Sequence, residues 1–179
     1  MEAIIKINDL SFSYDDKVIF KNLNLDIKEN TITTIVGPNS CGKTTLVKIL
    51  SGNLKYNGNI IIDGKLLNKE NINDLRMKVC PIFDALEQSF VAETVIDEMA
   101  FVLENLCYPK SDIKEEINRV SKLLEIKKLL EHDPNSLTEK EKQLVSLGCF
   151  LVLNPKIIIV DDFLENKEII FRKLKQLGI

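Results

Sequence analysis

One short run combines residue types and spacing that can do chemistry: Gly37-Pro38-Asn39-Ser40-Cys41-Gly42-Lys43-Thr44. It matches the pattern G-x-x-x-x-G-K-[ST]. Glycines let the backbone curl so that successive N–H groups point inward, a concavity suited to phosphate oxygens. A helix opening at the end of the run adds its positive N-terminal end. The pattern places Lys43 for the β- and γ-phosphates of a nucleoside triphosphate and the Thr44 hydroxyl for Mg²⁺. The candidate nucleotide-binding residues are Gly37, Pro38, Asn39, Ser40, Cys41, Gly42, Lys43, Thr44 and Thr45. Cys41 reads as a small filler within the loop rather than a redox switch.

A second constellation lies far downstream. Ile157-Ile158-Ile159-Val160 runs into Asp161-Asp162. Four apolar residues bury a short strand, and its carboxyl end then presents acids. This has the form of a Walker B strand. Asp161 is placed to hold Mg²⁺, directly or through water. Asp162 falls where a general base polarises an attacking water.

These residues need elements to position them. Ile4 to Leu10 reads as a strand, and Val18 to Phe20 and Leu23 to Ile27 as two more, separated by turn-like polar residues. Thr31 to Val36 is a β-branched run ending on Gly37, the pattern of a strand buried on both faces. Lys43 to Leu50 reads as a helix stopped by Gly52, and Asn59 to Ile62 as a strand closed by the Asp63-Gly64 turn. Helical spacing recurs from Val95 to Leu106, at Ile113, Ile117, Val120 and Leu124, and from Thr138 to Leu153. Thr138 with Glu141 fits a capping box. Lys167 to Leu177 is a helix-like tail. Strands alternating with helices predict an α/β sheet.

The bulk numbers bound the rest. A chain of 179 residues fits one domain with a real core. Its net charge of −3 is spread along the chain and leaves no basic footprint for nucleic acid. No apolar run approaches the roughly 20 residues that span a bilayer, and the Met1-Glu2-Ala3-Ile4 start has no signal-peptide pattern. A membrane role must therefore come through a partner, without direct membrane insertion. The four cysteines Cys41, Cys80, Cys107 and Cys149 are scattered with no Cys-x-x-Cys pair, which predicts a reducing cytosol.

Both motifs, their spacing and the segment between them resemble ABC ATPases, most of all the energy-coupling-factor type that serves cobalt, nickel and vitamin importers. The resemblance is densest over Phe90-Val91-Ala92-Glu93-Thr94-Val95-Ile96-Asp97-Glu98-Met99-Ala100-Phe101, continues to Glu104-Asn105-Leu106, and includes Ser11-Phe12-Ser13-Tyr14. It covers Ile4 to about Asp162. It implies a P-loop NTPase of ABC type: a mixed sheet with an antiparallel β-subdomain and an inserted helical subdomain at about 86–150, in one nucleotide-binding domain over 1–179. It implies ATP and Mg²⁺, with Tyr14 stacking on adenine. It also implies a second ABC ATPase subunit, in a homo- or heterodimer, and transmembrane transporter subunits. Those partners would hold the chain in the cytoplasm, peripheral at the inner face of the membrane.

Several positions depart from the family. Where it has a Gln just after Phe83, this chain has Asp84, which can ligate Mg²⁺ but adds a negative charge. The Leu-Ser-Gly-Gly-Gln signature becomes Leu137-Thr138-Glu139-Lys140-Glu141. The Glu139 carboxylate would face a phosphate bound on the opposing subunit, where like charges in a partly desolvated site are costly, with Lys140 offsetting part of this. The Walker B glutamate becomes Asp162, one methylene shorter, which predicts slower hydrolysis. Nothing after Asp162 matches a D-loop, the C-terminal strands or a switch histidine, and His132 precedes the Walker B strand. The family's next strand inserts between the two motif strands, so a gap is expected there. Another polypeptide fills it, the fold rearranges to close it, or the chain is a decayed fragment. The resemblance thus leaves two roles: an importer's ATP-hydrolysing motor subunit with Asp162 and Asp84 at the chemistry, or a non-hydrolysing regulatory or structural partner, including the degenerate half of a heterodimer.

Overall fold

A computed structural model of the chain describes residues 2–82 and 90–161. The tail predicted at Lys167 to Leu177 lies outside them. The described elements alternate as expected for an α/β protein. In order they are β1 (Ala3–Tyr14), β2 (Lys17–Lys28), α1 (Lys43–Leu50), β3 (Asn57–Ile62), β4 (Lys65–Leu66), α2 (Ile72–Lys78), β5 (Val79–Ile82), α3 (Val95–Asn105), α4 (Lys110–Leu123), α5 (Glu139–Leu151) and β6 (Ile157–Val160). Short 3-10 turns lie at Lys127–Leu129 and Pro134–Ser136.

The chain divides into two compact units. The first contains residues Met1–Pro81 and Lys156–Asp161. Its larger sheet has the order β2-β1-β3-β4, with every paired neighbour antiparallel. Ile5 and Ile7 alternate along β1 and stand opposite Ile62 and Ile60 of β3, and all four are essentially fully buried. Each contributes about 1.5–3 kcal/mol relative to an exposed side chain. Leu46, Ile49 and Leu50 of α1 and Ile157 of β6 pack into the same core. A smaller sheet pairs β5 with β6. Asp63 ties three segments of this unit together. It sits in the β3–β4 turn and pairs with Lys78, the last residue of α2, and with Lys156, just before β6, at 3.0 Å. These two ammonium groups hold its carboxyl below the usual carboxylate range.

Two expectations about this unit fail. Val18 to Phe20 and Leu23 to Ile27 are not two strands but parts of one, β2. The register against β1 slips between Leu10↔Leu23 and Phe12↔Phe20, so the polar residues are absorbed as a bulge. Asn22 takes the positive φ of 51° that the bulge needs, and its N–H donates to the Ser11 hydroxyl at 3.0 Å. The second failure is larger. Thr31 to Val36 is neither a strand nor buried; all of its residues are exposed. β-branched residues favour a strand only where a neighbouring strand accepts their ladder. Among the described residues no strand runs beside this segment.

The second unit contains residues Ile82–Pro155. There α3, α4 and α5 pack on one another. The predicted helical spacing is what they bury: Val95, Met99 and Leu103 from α3, Ile113, Ile117 and Val120 from α4, Val145, Leu147 and Leu151 from α5. Gly148 lets α5 approach α3; a Cβ there would lie 3.2 Å from the Met99 methyl.

Candidate functional site

The phosphate-loop residues occupy the turn between the exposed Thr31–Val36 segment and α1. Ser40, with φ 63°, and Gly42, with φ 103°, both take positive φ, which curls the chain before the helix opens at Lys43. Gly42 is required twice over. Its φ is unfavourable for any residue with a Cβ, and a Cβ would lie 2.6 Å from Ile19 Cγ2 and 2.9 Å from Phe20 Cζ. The loop is therefore seated on β2.

The start of α1 is open. Gly42 at its N-cap has no side chain to offer, and no acid lies in its first turn. Among the described residues no side chain caps the free N–H groups and positive dipole end that every helix start carries. The Lys43 ammonium folds back over the loop and donates to the carbonyls of Gly37 and Pro38, each at 3.1 Å. These are neutral acceptors that an anion can displace. Thr44 is exposed, whereas Thr45 is buried at the base of the helix.

Asp161 follows β6 directly and is 7% exposed. Its strand is rooted through Ile157 in the core that also holds α1, so one packed unit carries both Thr44 and Asp161. Among the described residues no three His, Cys, Asp or Glu side chains gather into a metal cluster. A hydroxyl and one carboxylate suit Mg²⁺, which takes few protein ligands and completes its shell with phosphate oxygens and water. Asp84 and Asp162 lie outside the described residues.

Tyr14 stands at the tip of the β1–β2 hairpin, 43% exposed. Its ring meets Phe12 edge-on, with centroids 4.8 Å apart and planes at 86°. Phe12 pairs across the strands with Phe20, the residue beneath Gly42. Tyr14 and the loop are thus both supported from the same β1–β2 pair. Sequence reasoning missed Phe12, Ile19 and Phe20 as supports. The signal was local only in part: in Ser11-Phe12-Ser13-Tyr14 the period of two puts both rings on one face.

In the helical unit, the start of α5 contrasts with that of α1. Thr138 caps α5, its hydroxyl accepting from the Glu141 N–H. The Glu141 carboxylate accepts in turn from the Thr138 N–H at 3.1 Å and its hydroxyl at 2.7 Å. These bonds lower the Glu141 pKa. The capping box expected at Thr138 and Glu141 is thus fully formed, and the N–H groups it engages are already occupied by the chain's own groups. At α3, Glu98 receives the N–H groups of Val91 and Ala92, both at 2.8 Å, and fixes the turn into that helix. This role of Glu98 was also missed from sequence. His132 is exposed, and its carbonyl accepts from the Val95 N–H.

A nucleotide-type phosphate loop on α1, a carboxylate after a short strand rooted in the core by Ile157 and a separate three-helix unit define an ABC-type ATPase fold. The family model described as ABC transporter matches residues 20–165, and the chain belongs to that family. Its curated relatives include the energy-coupling factor transporter ATP-binding protein EcfA1 of Mesomycoplasma hyopneumoniae (strain 7448), 37% identical over 163 residues, covering 89% of this chain and 60% of that protein. The protein named EcfA in Aster yellows witches'-broom phytoplasma is 38% identical over 160 residues, covering 89% of this chain and 59% of that one. Among solved structures, CbiO1 from Clostridium perfringens, described as part of the ABC transporter complex CbiONQ, superposes with a TM-score of 0.87 at 26% identity. That match covers all of this chain and 76% of the other. The chain thus spans about 60% of the length of the curated relatives it matches. None of its described helices is long and apolar enough to cross a membrane.

Proposed function

We propose that the chain binds Mg-ATP at Gly37–Thr45 and serves as an ATP-binding subunit of an energy-coupling-factor-type transporter that imports a small solute. The observation that carries this reading is the start of α1: a positive-φ glycine, no acid in the first turn, and a lysine that donates to two loop carbonyls. In this reading Lys43 turns from those carbonyls to the β- and γ-phosphates, and Thr44 and Asp161 hold the magnesium ion. Tyr14 would cover the adenine, Asp162 would accept the proton of the attacking water, and Asp84, at the position where the family carries a Gln, would be a further ligand for the metal. A magnesium ion held by Thr44 and Asp161 would supply electrostatic stabilisation of the phosphate charge. The partners are a second ABC ATPase subunit and transmembrane subunits, which would keep the chain peripheral at the cytoplasmic face.

The closed capping box of α5 supports a second reading, in which the chain binds nucleotide without turnover, as one half of an unequal pair. An opposing subunit's phosphate would meet Glu139 and Glu141 there rather than free N–H groups. Both readings are tested by ATP binding and steady-state phosphate release on the purified chain, with Lys43→Ala as control. Binding that Lys43→Ala abolishes is expected. Phosphate release above that control supports the motor, and none supports the silent half. Binding indifferent to Lys43→Ala removes both.

A further inference from the structure

The strand β6 is Ile157-Ile158-Ile159-Val160, β-branched aliphatics in an unbroken row. A strand whose every residue is apolar has no alternation to distinguish its two faces, so its hydrophobic pattern does not set its register. Its partner β5, Val79-Cys80-Pro81-Ile82, is equally without alternation, and Pro81 has no N–H to give to a ladder. The apolar pattern alone would tolerate a slip of one residue. Such a slip moves the carboxyl end of β6 by about 3.3 Å and turns its side chains to the other face. Asp161 stands at that end, 7% exposed. A polar contact outside the strands can supply the register that the pattern lacks.

Asp63 is placed to make that contact. Its carboxylate pairs with Lys156, the residue just before β6, at 3.0 and 3.1 Å, and with Lys78, the residue just before β5. One carboxylate thus grips the starts of both strands of the small sheet. Asp63 is itself anchored to the larger sheet. It follows β3 directly, with φ 49°, and its N–H donates to the Ile4 carbonyl of β1 at 2.8 Å. The helix α1, which carries Thr44, packs through Leu46, Ile49 and Leu50 into the core built on that sheet. We propose that Asp63 is a positioning residue for the magnesium site: through Lys156 and Lys78 it fixes the register of β6 on β5, and with it the place of Asp161 relative to Thr44. The role presumes the reading in which Thr44 and Asp161 hold the metal. Both ion pairs are partly exposed and so add little stability. A small energy is enough to choose between registers that an all-apolar strand leaves nearly equal.

The test is ATP binding to the purified chain as Mg²⁺ is titrated in from a chelated start. Mg²⁺ should tighten binding by the parent, and Asp161→Asn should abolish that gain. Asp63→Asn and Lys156→Met should each raise the Mg²⁺ concentration at half effect by at least about threefold, less than the roughly 10–100-fold typical of groups that touch a metal ligand directly. Lys156→Arg keeps the charge and should stay near the parent. Lys65→Met breaks a neighbouring pair, Lys65 with Asp74, that does not involve the small sheet, and should leave the Mg²⁺ midpoint where it was. In the ligand-free chain, hydrogen exchange over 157–161 should rise more in Asp63→Asn than in Lys65→Met. Should Asp63→Asn fail to fold, Lys156→Met, at a half-exposed side chain, decides the matter. Midpoints unmoved in Asp63→Asn and Lys156→Met, with Asp161→Asn still effective, overturn the positioning role and leave the magnesium reading standing. An Asp161→Asn variant with the parent's Mg²⁺ dependence overturns the magnesium reading and the role with it. Equal shifts in Lys65→Met and Asp63→Asn reduce the contact to general stability and overturn the role as well.

Discussion

Gly42→Ala tests how the phosphate loop is built. The substitution adds one methyl group and meets two separate obstacles. The first is backbone: φ 103° is left-handed space, which costs a residue with a Cβ about 1–2 kcal/mol. The second is steric: the new carbon arrives 2.6 Å from Ile19 Cγ2 and 2.9 Å from Phe20 Cζ. Relieving such overpacking costs about 1–3 kcal/mol. Together they predict a loss of about 2–5 kcal/mol, a fall in melting temperature of about 4–20 °C for a chain of this size. If the loop lifts off β2 instead, the cost passes from stability to nucleotide affinity, at tenfold per about 1.4 kcal/mol. Thermal unfolding with and without Mg-ATP separates the two routes. A double-mutant cycle separates the two obstacles. Ile19→Ala removes the nearer clash but not the strained φ, so the double variant should be about 1–2 kcal/mol more stable than additivity allows. Gly42→Ala indistinguishable from the parent in both stability and affinity refutes the described seating of the loop on β2. Additivity within about 0.5 kcal/mol refutes the contact with Ile19.

Three further predictions follow from single side chains. Asp63 has a depressed folded-state pKa, so the folded protein binds fewer protons than the unfolded one just below about pH 4. Its contribution is therefore fully present above about pH 4 and lost as pH falls through the lower folded value. Asp63→Asn should remove on the order of 1 kcal/mol at pH 7 and flatten this part of the acid-unfolding curve, read by circular dichroism. Glu141→Ala opens the capping box and should lower stability, read as a fall in the denaturant midpoint with an unchanged slope. Thiol labelling at pH 8 should modify exposed Cys41 and Cys107 quickly. Cys80 and Cys149, pushed up to about 12 by burial, should react slowly, and Mg-ATP should protect Cys41 but not Cys107.

What was legible in the sequence was what short range decides. The capping box is fixed by two residues three apart, and the Asp63-Gly64 turn by two adjacent ones, so both could be read directly. The limits of α1 follow from a positive-φ glycine before it and Gly52, with φ 71°, after it. Ile5 and Ile7 were legible through their alternation. What failed depends on neighbours distant in the chain. Whether Lys21-Asn22 ends a strand or bulges within one is settled by β1, which continues past the bulge and carries β2 with it. Thr31–Val36 has every local mark of a strand, yet a strand is a relation between two segments. The support of Gly42 by Ile19 and Phe20 joins residues more than twenty positions apart, and no local pattern announces it.

Two helix starts in this chain illustrate how the same backbone physics can be directed to opposite ends. Every α-helix begins with N–H groups lacking partners and a partial positive charge. At α5 the sequence spends this potential internally: Thr138 and Glu141 take each other's N–H groups, and Glu139 adds a second acid to the first turn. At α1 nothing of the kind occurs. Gly42 has no side chain, the first turn is Lys43-Thr44-Thr45, and Lys43 adds a cation where an acid would be the stabilising choice. A cation there works against the dipole, and the local choice makes sense only for an anion arriving from outside. The mismatch at α1, rather than the glycine pattern alone, is why the phosphate loop carries the functional reading.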